Sequence, residues 1–571
     1  MNSNLLEKYF PSNEPIEELD FKSTRHPENT ANAWEALVTG QAKDGGLYVP
    51  DISKINTFET EFFQHSDNPE EPSFYDLTMS QTSALLLRQF IPSEGKNGLS
   101  NESLQAMMDI SHNFDIPLEK LNANTLIAWL SESETASFKD FAARAISQLM
   151  EYYCEKEQTP KNIVVATSGD TGVAIADAFG NSKWITVTVL YPNGKVSPVQ
   201  EAQMINAAKK YPNVQCLPID GDFDKTQAFS KSMQFMKDLD TSQSDAIQKL
   251  QTTMQEQLNI SIADNIISDL SEQLQELELA SANSINIWRL LPQMTQYFAS
   301  YSKAVNENEI QPGEKIIFAI PTGNVGHLMA GMYAKQLGLP VKKFIVGTNS
   351  NDIVTCTIRD FELNHQNLTR NAKNENEAMA TESPSMDIAD PSNLERLLNL
   401  IQDLADPETT LDLEQLKKDT KALNPGQAGI PLSKYGVTEK MKEYINNLFY
   451  ASSVSDEESI SVMNHYKEVV QLEPHGATAV KAVEDAQKNG NIETNDKVIV
   501  FETAHRDKFP SALKKAKIKV EKTHHILKDL NTNEPKNPEP IVETVAKVVS
   551  HVKTIADTSI ENRSNLIIQH N

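Results

Sequence analysis

Two stretches of this 571-residue chain share one layout: a short β-branched run, a glycine-rich polar turn, then an apolar helical segment. In the first, Ile163-Val164-Val165-Ala166 leads into Thr167-Ser168-Gly169-Asp170-Thr171-Gly172, with a helix expected over residues 173–179. In the second, residues 315–320 lead into Pro321-Thr322-Gly323-Asn324-Val325-Gly326-His327, with a helix expected over 328–336. Further strands are expected at 184–190, 341–346 and 497–501. Strands that alternate with helices build parallel βαβ units, so the chain is expected to be α/β. Ligands of such sheets bind beyond the carboxyl ends of the strands. The strand-to-helix turns are therefore where chemistry is sought.

Gly169 and Gly172 allow backbone N–H groups to converge, the following helix adds a positive dipole end, and Ser168 and Thr171 supply hydroxyls. This suits a carboxylate or phosphate. It equally suits an ordinary turn capped by Asp170 or Thr171. The second turn is neither a Walker A loop nor a dinucleotide fingerprint, because its glycine spacing is wrong and no Gly-Lys-Ser/Thr follows. A phosphate can still sit at such a helix N-terminus. Two such turns suggest a ligand, or two ligands, with two anionic ends. Lys139, among Ser137-Phe138-Lys139-Asp140-Phe141 and just before a helix expected over 142–150, reads alone as a snorkelling surface lysine.

Composition removes several classes. Fifty-two Lys and Arg against 79 Asp and Glu give a formal charge of −27, which argues against a nucleic-acid binder. Cys154, Cys216 and Cys356 are odd in number and far apart, so no disulfide framework, zinc spacing or metal site is expected, and a reducing compartment is. No apolar run approaches the ~20 residues of a membrane span, and residues 1–10 lack the apolar core of a secretory signal. The expectation is a cytoplasmic protein without membrane partners. Apolar residues make up only 39% of the chain, so some segments read as polar additions. Residues 241–278, with Ile247, Leu250, Met254 and Leu258 at helical spacing, are expected as a surface helical insertion. Residues 364–381 are expected as a polar loop, and Asn533 to Pro540 as a linker. Beyond it, Ile541, Val545, Val548, Val549, Val552 and Ile555 form one helical stripe expected to dock on its own chain.

Taken together and in order, the motifs resemble the threonine synthase family, a group of fold-type II pyridoxal-phosphate enzymes. The resemblance opens with Phe21-Lys22-Ser23-Thr24-Arg25 and Asp44-Gly45-Gly46-Leu47-Tyr48-Val49-Pro50. It continues through the Lys139 block, Ala166 to Gly172, Gly194 to Gln200, Asp220 to Asp224, Ser281 to Asn286 and Pro321 to Gly326. It closes with the block around Asp387, Glu473 to Val480, and Thr503 to Phe509. Where the family commonly reads His-Gly-Pro-Thr before the lysine, this chain has Glu132-Ser133-Glu134-Thr135. Two carboxylates there would repel an anionic substrate by about 1 kcal/mol per charge at 4 Å in water.

The resemblance implies a fold like the tryptophan synthase β-subunit, with parallel sheets, helices on both faces and an N-terminal α/β domain. It implies an N-terminal domain over residues 1–95 and a catalytic domain over 96–520, with a substrate lobe at about 160–235. Residues 521–571 would be a linker and helical tail. Lys139 would form the Schiff base with pyridoxal 5'-phosphate. Gly323, Asn324, Val325 and Gly326 would bind the cofactor phosphate, with His327 opening the helix behind them. Thr503 would place a hydroxyl at the pyridine nitrogen, a partner that leaves this nitrogen largely unprotonated. Ser168, Gly169, Asp170 and Thr171 would face the amino-acid end of the substrate. Lys195, Ser197 and Arg144 are candidates for its phosphate. His475 reads as a helix start, His505 as a possible support for the cofactor, and Asp387 as a supporting group or a helix cap. The implied enzyme is a carbon–oxygen lyase acting on a small anionic amino acid, O-phospho-L-homoserine, to give L-threonine and phosphate. One rival is a related phospho-lyase releasing 2-oxobutyrate, ammonia and phosphate. Another is a noncatalytic binding protein on the same fold.

Overall fold

The computed structural model describes residues 4–10, 16, 18–64, 73–221, 223–237, 239, 247–248, 250–252, 264–370, 376–520, 524–528, 530 and 544–570. The chain divides into two compact units. One comprises Met1–Ala145 and Ser284–His524, the other Ile146–Asn283 and His525–Asn571.

The first unit is built on a six-stranded sheet. Its order is Phe449–Ser453, Val341–Thr348, Ile316–Pro321, Val498–Glu502, Thr125–Trp129 and Leu118–Lys120. The first five strands are mutually parallel and only the edge strand Leu118–Lys120 runs against its neighbour. The central strands are buried along their whole length, as near-continuous apolar runs require. Helix Pro474–Lys488 packs on this sheet so closely that a Cβ on Gly347 would lie 3.0 Å from the Thr478 carbonyl oxygen. Because the five strands are parallel, the loops after Thr125–Trp129, Ile316–Pro321 and Val498–Glu502 leave from the same end of the sheet.

The N-terminal segment of this unit carries a three-stranded antiparallel sheet of Phe21–Ser23, Thr30–Ala31 and Tyr48–Pro50. The residues that opened the motif series have a structural task here. The Arg25 guanidinium donates to both carboxylate oxygens of Glu395 at 3.1 Å, and Thr24 donates to Glu395 at 2.6 Å. Buried Arg396 donates to the Tyr48 carbonyl at 2.9 Å. Removing one partner of such a buried pair strands the other charge, so these bonds fix the segment onto helix Leu394–Ala405.

The second unit has a four-stranded, all-parallel sheet ordered Val214–Ile219, Ile185–Pro192, Lys161–Ala166 and Leu279–Ala280. Residues 241–278 were expected on the surface. Of these, helix Asp264–Glu276 instead buries Ile267, Leu270 and Leu274, and Ile247 and Leu250 join the same core. Its apolar stripe packs against helices Phe223–Lys237 and Val545–His570, so the polar residues mark only the outer face. Met254 and Leu258 lie outside the described residues. Val545, Val548, Val549 and Val552 of helix Val545–His570 are buried in this core as well, which is the docking the stripe predicted. The expected linker and Ile541 lie outside the described residues, as do residues 371–375 of the expected polar loop. Within that loop His365 and Leu368 are buried.

Candidate active site

Both expected helices begin earlier than their apolar periodicity suggests. They start inside the glycine turns, as Asp170–Ala178 and Gly326–Gln336. This matters because the first-turn N–H groups of a helix have no intrahelical acceptor.

In the first unit, the turn after Ile316–Pro321 is held open from behind. Asn393 donates from Nδ2 to the Asn324 carbonyl at 3.0 Å, and Ser392 donates from its N–H and hydroxyl to Asn324 Oδ1 at 3.1 and 3.2 Å. Arg396 in turn donates to Asn393 Oδ1 at 2.6 Å. A trans peptide points its N–H opposite to its carbonyl, so pinning the Asn324 carbonyl turns the Val325 N–H the other way. Val325 adopts φ +64°, a left-handed conformation that a β-branched residue adopts only under constraint. Among the described hydrogen bonds, none runs from the N–H groups of Gly323, Asn324, Val325 or Gly326 to a protein acceptor. The other wall lies against Gly323, where a Cβ would meet Met386 Cα at 2.9 Å and the Ser385 carbonyl oxygen at 3.0 Å. Four donors at the start of an 11-residue helix, in a cradle too tight for a side chain at Gly323, fit a phosphate group.

Lys139 lies on the loop after Thr125–Trp129, and backbone bonds tie this loop to the end of Val498–Glu502. Leu130 N–H donates to the Glu502 carbonyl at 2.9 Å, Phe138 N–H to the Thr503 carbonyl at 2.8 Å, and His505 N–H to the Ala136 carbonyl at 3.0 Å. Gln296 donates to the Phe138 carbonyl at 3.1 Å. Lys139 Nζ sits 4.6 Å from the centroid of the Phe138 ring. That ring stacks on His327 at 5.0 Å, the residue following the phosphate-type turn. The structure thus brings Lys139, residues 323–327 and Thr503 to one end of one sheet.

His327 is buried, its two ring nitrogens have no hydrogen-bond partner, and Tyr297 and Phe501 pack around it. Burial, with Lys139 adding to it, pulls its pKa down to about 3, so it is a neutral wall and not a charge. The loop departing from the family pattern is ordered by Asp140, which accepts from Thr135 N–H at 2.7 Å and Thr135 hydroxyl at 2.6 Å. Burial raises the Asp140 carboxyl. Glu134 is exposed and pairs with Arg144 at 3.6 Å. Arg144 also donates to the carbonyls of Ile110 and Ser111 and to Asn113. Its guanidinium is thus engaged in holding helix Asn101–Ser111. Asp387 accepts from Asn349, Asn351 and Thr381, and burial pushes its carboxyl up to about 6.

Thr503 is backed by a residue with no site reading in the sequence, Glu473. The Thr503 hydroxyl donates to buried Glu473 at 3.2 Å. Glu473 also accepts from His475 Nδ1 at 2.5 Å, and His475 Nε2 accepts the Ser385 N–H at 3.2 Å. An acidic residue directly before a proline is a helix-start signal, so the cap of Pro474–Lys488 was legible. The bond to Thr503, 30 positions away, was not. His505 accepts the Asp507 N–H at 3.2 Å.

In the second unit, the turn after Lys161–Ala166 holds Gly169 at φ +145°, open only to glycine. The N–H groups of Gly169 and Gly172 are spent on Thr167 Oγ1, at 2.9 and 2.8 Å. Ser168 and Thr171 are half-buried at the start of the helix and Asp170 is buried. Above Gly169 lies Gln200, whose Nε2 is buried without a hydrogen-bond partner. Ser197 caps helix Pro198–Lys210, accepting the Gln200 N–H at 3.2 Å, and Lys195 is exposed just before it.

Among the described residues no helix is long and apolar enough to cross a membrane, and no cluster of His, Cys, Asp and Glu is placed to hold a metal ion.

Residues 20–109 match the family model described as the threonine synthase N terminus. The chain is 29% identical over 526 residues to a threonine synthase of Eremothecium gossypii, covering 87% of this chain and 89% of that one. Among solved structures, a PLP-bound threonine synthase from Brucella melitensis superposes with a TM-score of 0.73 at 26% identity, covering 94% of this chain and 99% of that one. The threonine synthase of Escherichia coli gives 0.66 at 25% identity, with 94% and 99% covered. The parallel α/β architecture is that of fold-type II pyridoxal-phosphate enzymes.

Proposed function

We propose that this chain, which belongs to the threonine synthase family, converts O-phospho-L-homoserine and water to L-threonine and phosphate with pyridoxal phosphate as cofactor. The observation that carries the reading is the bank of four backbone donors at residues 323–326, at the same end of one sheet as Lys139 and Thr503.

Gly323, Asn324, Val325 and Gly326 would hold the cofactor phosphate through these N–H groups, and Thr503 would meet the ring nitrogen. The cofactor, when bound, supplies an electron-accepting ring that makes protons on the substrate carbon chain removable. Lys139 would hold the cofactor and, as a base, would take the proton from Cα of the substrate. Phe138 and neutral His327 form an apolar wall beside it, which limits water and strengthens the electrostatic contacts inside. In the second unit, Ser168, Gly169, Asp170 and Thr171 would bind the amino-acid end of the substrate, and Lys195 and Ser197 its phosphate. Thr167 keeps that turn in shape by taking the Gly169 and Gly172 N–H groups. Over the reaction, the Cγ–O bond breaks with its electrons leaving on phosphate. Cβ loses a proton and gains the hydroxyl of water, Cγ gains a proton, and the second proton of water goes to the released phosphate. A reducing compartment such as the cytoplasm suits the three buried free cysteines.

Product analysis tests this. Cofactor-loaded protein given O-phospho-L-homoserine should release L-threonine and phosphate in equal amounts. Phosphate accompanied by 2-oxobutyrate and ammonia alone would overturn the synthase reading and favour a phospho-lyase.

A further inference from the structure

Behind the phosphate-type turn stands a buried arginine, joined to it by an asparagine. Arg396 is fully buried, and its guanidinium donates to three neutral oxygens: the Tyr48 carbonyl at 2.9 Å, the Ile285 carbonyl at 2.6 Å and Asn393 Oδ1 at 2.6 Å. Its sequence neighbour Glu395 accepts instead from Arg25 and Thr24. Among the described hydrogen bonds Arg396 therefore has no carboxylate partner. Burial pulls its guanidinium down to about 10, against Tyr333 and Glu395 nearby, so it stays protonated at neutral pH. A buried charge held by neutral acceptors is stabilised further by any negative charge brought close to it.

Asn393 passes this charge forward. An arginine can only donate and a backbone carbonyl can only accept, so the orientation of the Asn393 amide is settled. Oδ1 faces Arg396, and Nδ2 donates to the carbonyls of Asn324 at 3.0 Å and Ser284 at 3.2 Å. The Asn393 N–H reaches the same Asn324 carbonyl at 3.3 Å. Guanidinium, side-chain amide and the Asn324–Val325 peptide thus stand in series, and hydrogen bonds in series polarise one another. Each link draws electrons toward the arginine, so the Val325 N–H at the far end becomes the stronger donor. That N–H points away from the pinned carbonyl. It has no acceptor among the described hydrogen bonds, and Val325 is held at φ +64°.

We infer that Arg396 is a positioning residue that makes the phosphate cradle electropositive from behind, acting through Asn393 and the Asn324–Val325 peptide, so that the cradle selects a doubly ionised phosphate. The inference rests on the reading that residues 323–326 hold the cofactor phosphate. A helix N-terminus alone carries only about half a positive charge. A fixed cation in series with it favours the dianion over the monoanion. The N-terminal segment has a part in this, because the Tyr48 carbonyl in its three-stranded sheet is one of the points that fix the guanidinium.

The test compares pyridoxal phosphate with pyridoxal, which lacks the phosphate, as ligands of the cofactor-free full chain. It also follows the ³¹P chemical shift of bound pyridoxal phosphate as pH is lowered through the second ionisation of a phosphate monoester, at about 6. The wild-type protein should keep the dianion shift through this range. Arg396→Gln removes the charge. Its affinity for pyridoxal phosphate should fall about 10–100-fold, as for a lost hydrogen bond to a charged group. Its affinity for pyridoxal should stay at the wild-type value, and its ³¹P shift should titrate. Asn393→Asp keeps an oxygen for Arg396 but loses the donor to Asn324, and should show the same phosphate-selective loss. Should Arg396→Gln fail to fold, Asn393→Asp decides; should both fail, the wild-type ³¹P shift decides. Equal losses for the two ligands would mark a structural role and overturn the inference. So would variants that match wild type, or a wild-type shift that titrates. Borohydride reduction of the wild-type sample separates the two levels. Cofactor trapped on Lys139, with variants that do not discriminate between the ligands, refutes only the role of Arg396. No pyridoxal phosphate held by the wild-type chain refutes the cofactor reading beneath it.

Discussion

Lys139→Ala is expected to leave the fold intact and remove turnover. The loop that carries Lys139 is tied by backbone groups of Leu130, Ala136 and Phe138 and by Thr135 against Asp140, and none of these bonds uses the lysine side chain. Truncation should therefore leave circular dichroism and the thermal midpoint close to wild type. The loss of a positioned base costs about 10²–10⁴ in rate, and loss of the covalent anchor adds to it. Threonine formation should fall by at least about 10⁴-fold. Pyridoxal phosphate should still bind through residues 323–326, but noncovalently, and wash out on dialysis. A variant retaining activity within tenfold of wild type would place the chemistry elsewhere.

Gly476→Ala is expected to be strongly destabilising. Alanine in place of glycine within a helix ordinarily stabilises by up to about 1 kcal/mol. Here the new Cβ would fall 1.3 Å from Glu502 Oε2 and 2.5 Å from its Cδ. Glu502 has little room to move, because its other oxygen receives the Glu473 N–H and the whole side chain is buried. Overpacking of this kind costs about 1–3 kcal/mol, and stranding a buried hydrogen-bond partner costs about 1–3 kcal/mol more. The sign is thus opposite to the helix-propensity expectation. Thermal unfolding of the variant beside wild type reads it directly. An equal or higher midpoint for Gly476→Ala would show that the two groups do not meet as described.

The parts of this molecule that were legible in its sequence are the local ones. Strand, glycine turn and helix follow one another within some 20 residues, so the layouts around 163–179 and 315–336 could be read from β-branching and turn chemistry. The valine stripe beginning at Val545 was legible for the same reason. What failed was the inference from polarity to surface. The 241–278 stretch is rich in Gln, Ser and acids, yet Ile247, Leu250, Ile267, Leu270 and Leu274 suffice to bury it. The Gly169 and Gly172 donors were also misjudged, because Thr167, two and five positions away, captures both of them. A threonine at the head of a turn bonding forward to its own backbone is a signal that could have been used.

The remainder is long-range. Nothing near Asn324 announces that Asn393 will pin its carbonyl, or that Arg396 will hold Asn393. Nothing near Thr503 announces Glu473. These bonds arise because parallel strands bring distant loops to one sheet end, and register across the sheet is set by packing and not by local spacing. Of the residues implied by resemblance, Lys139, Gly323 to His327 and Thr503 lie where the loops of the six-stranded sheet gather. The groups that orient them had to be read from the fold.

On the reading proposed above, Lys139, the 323–326 turn and Thr503 form one pyridoxal-phosphate site. The most direct test is to load the wild-type protein with pyridoxal phosphate, reduce it with borohydride and map the modified peptide by mass spectrometry. A single adduct of one cofactor per chain, located on Lys139, is the predicted result. An adduct on a different lysine, or no adduct in freshly loaded protein, would contradict it.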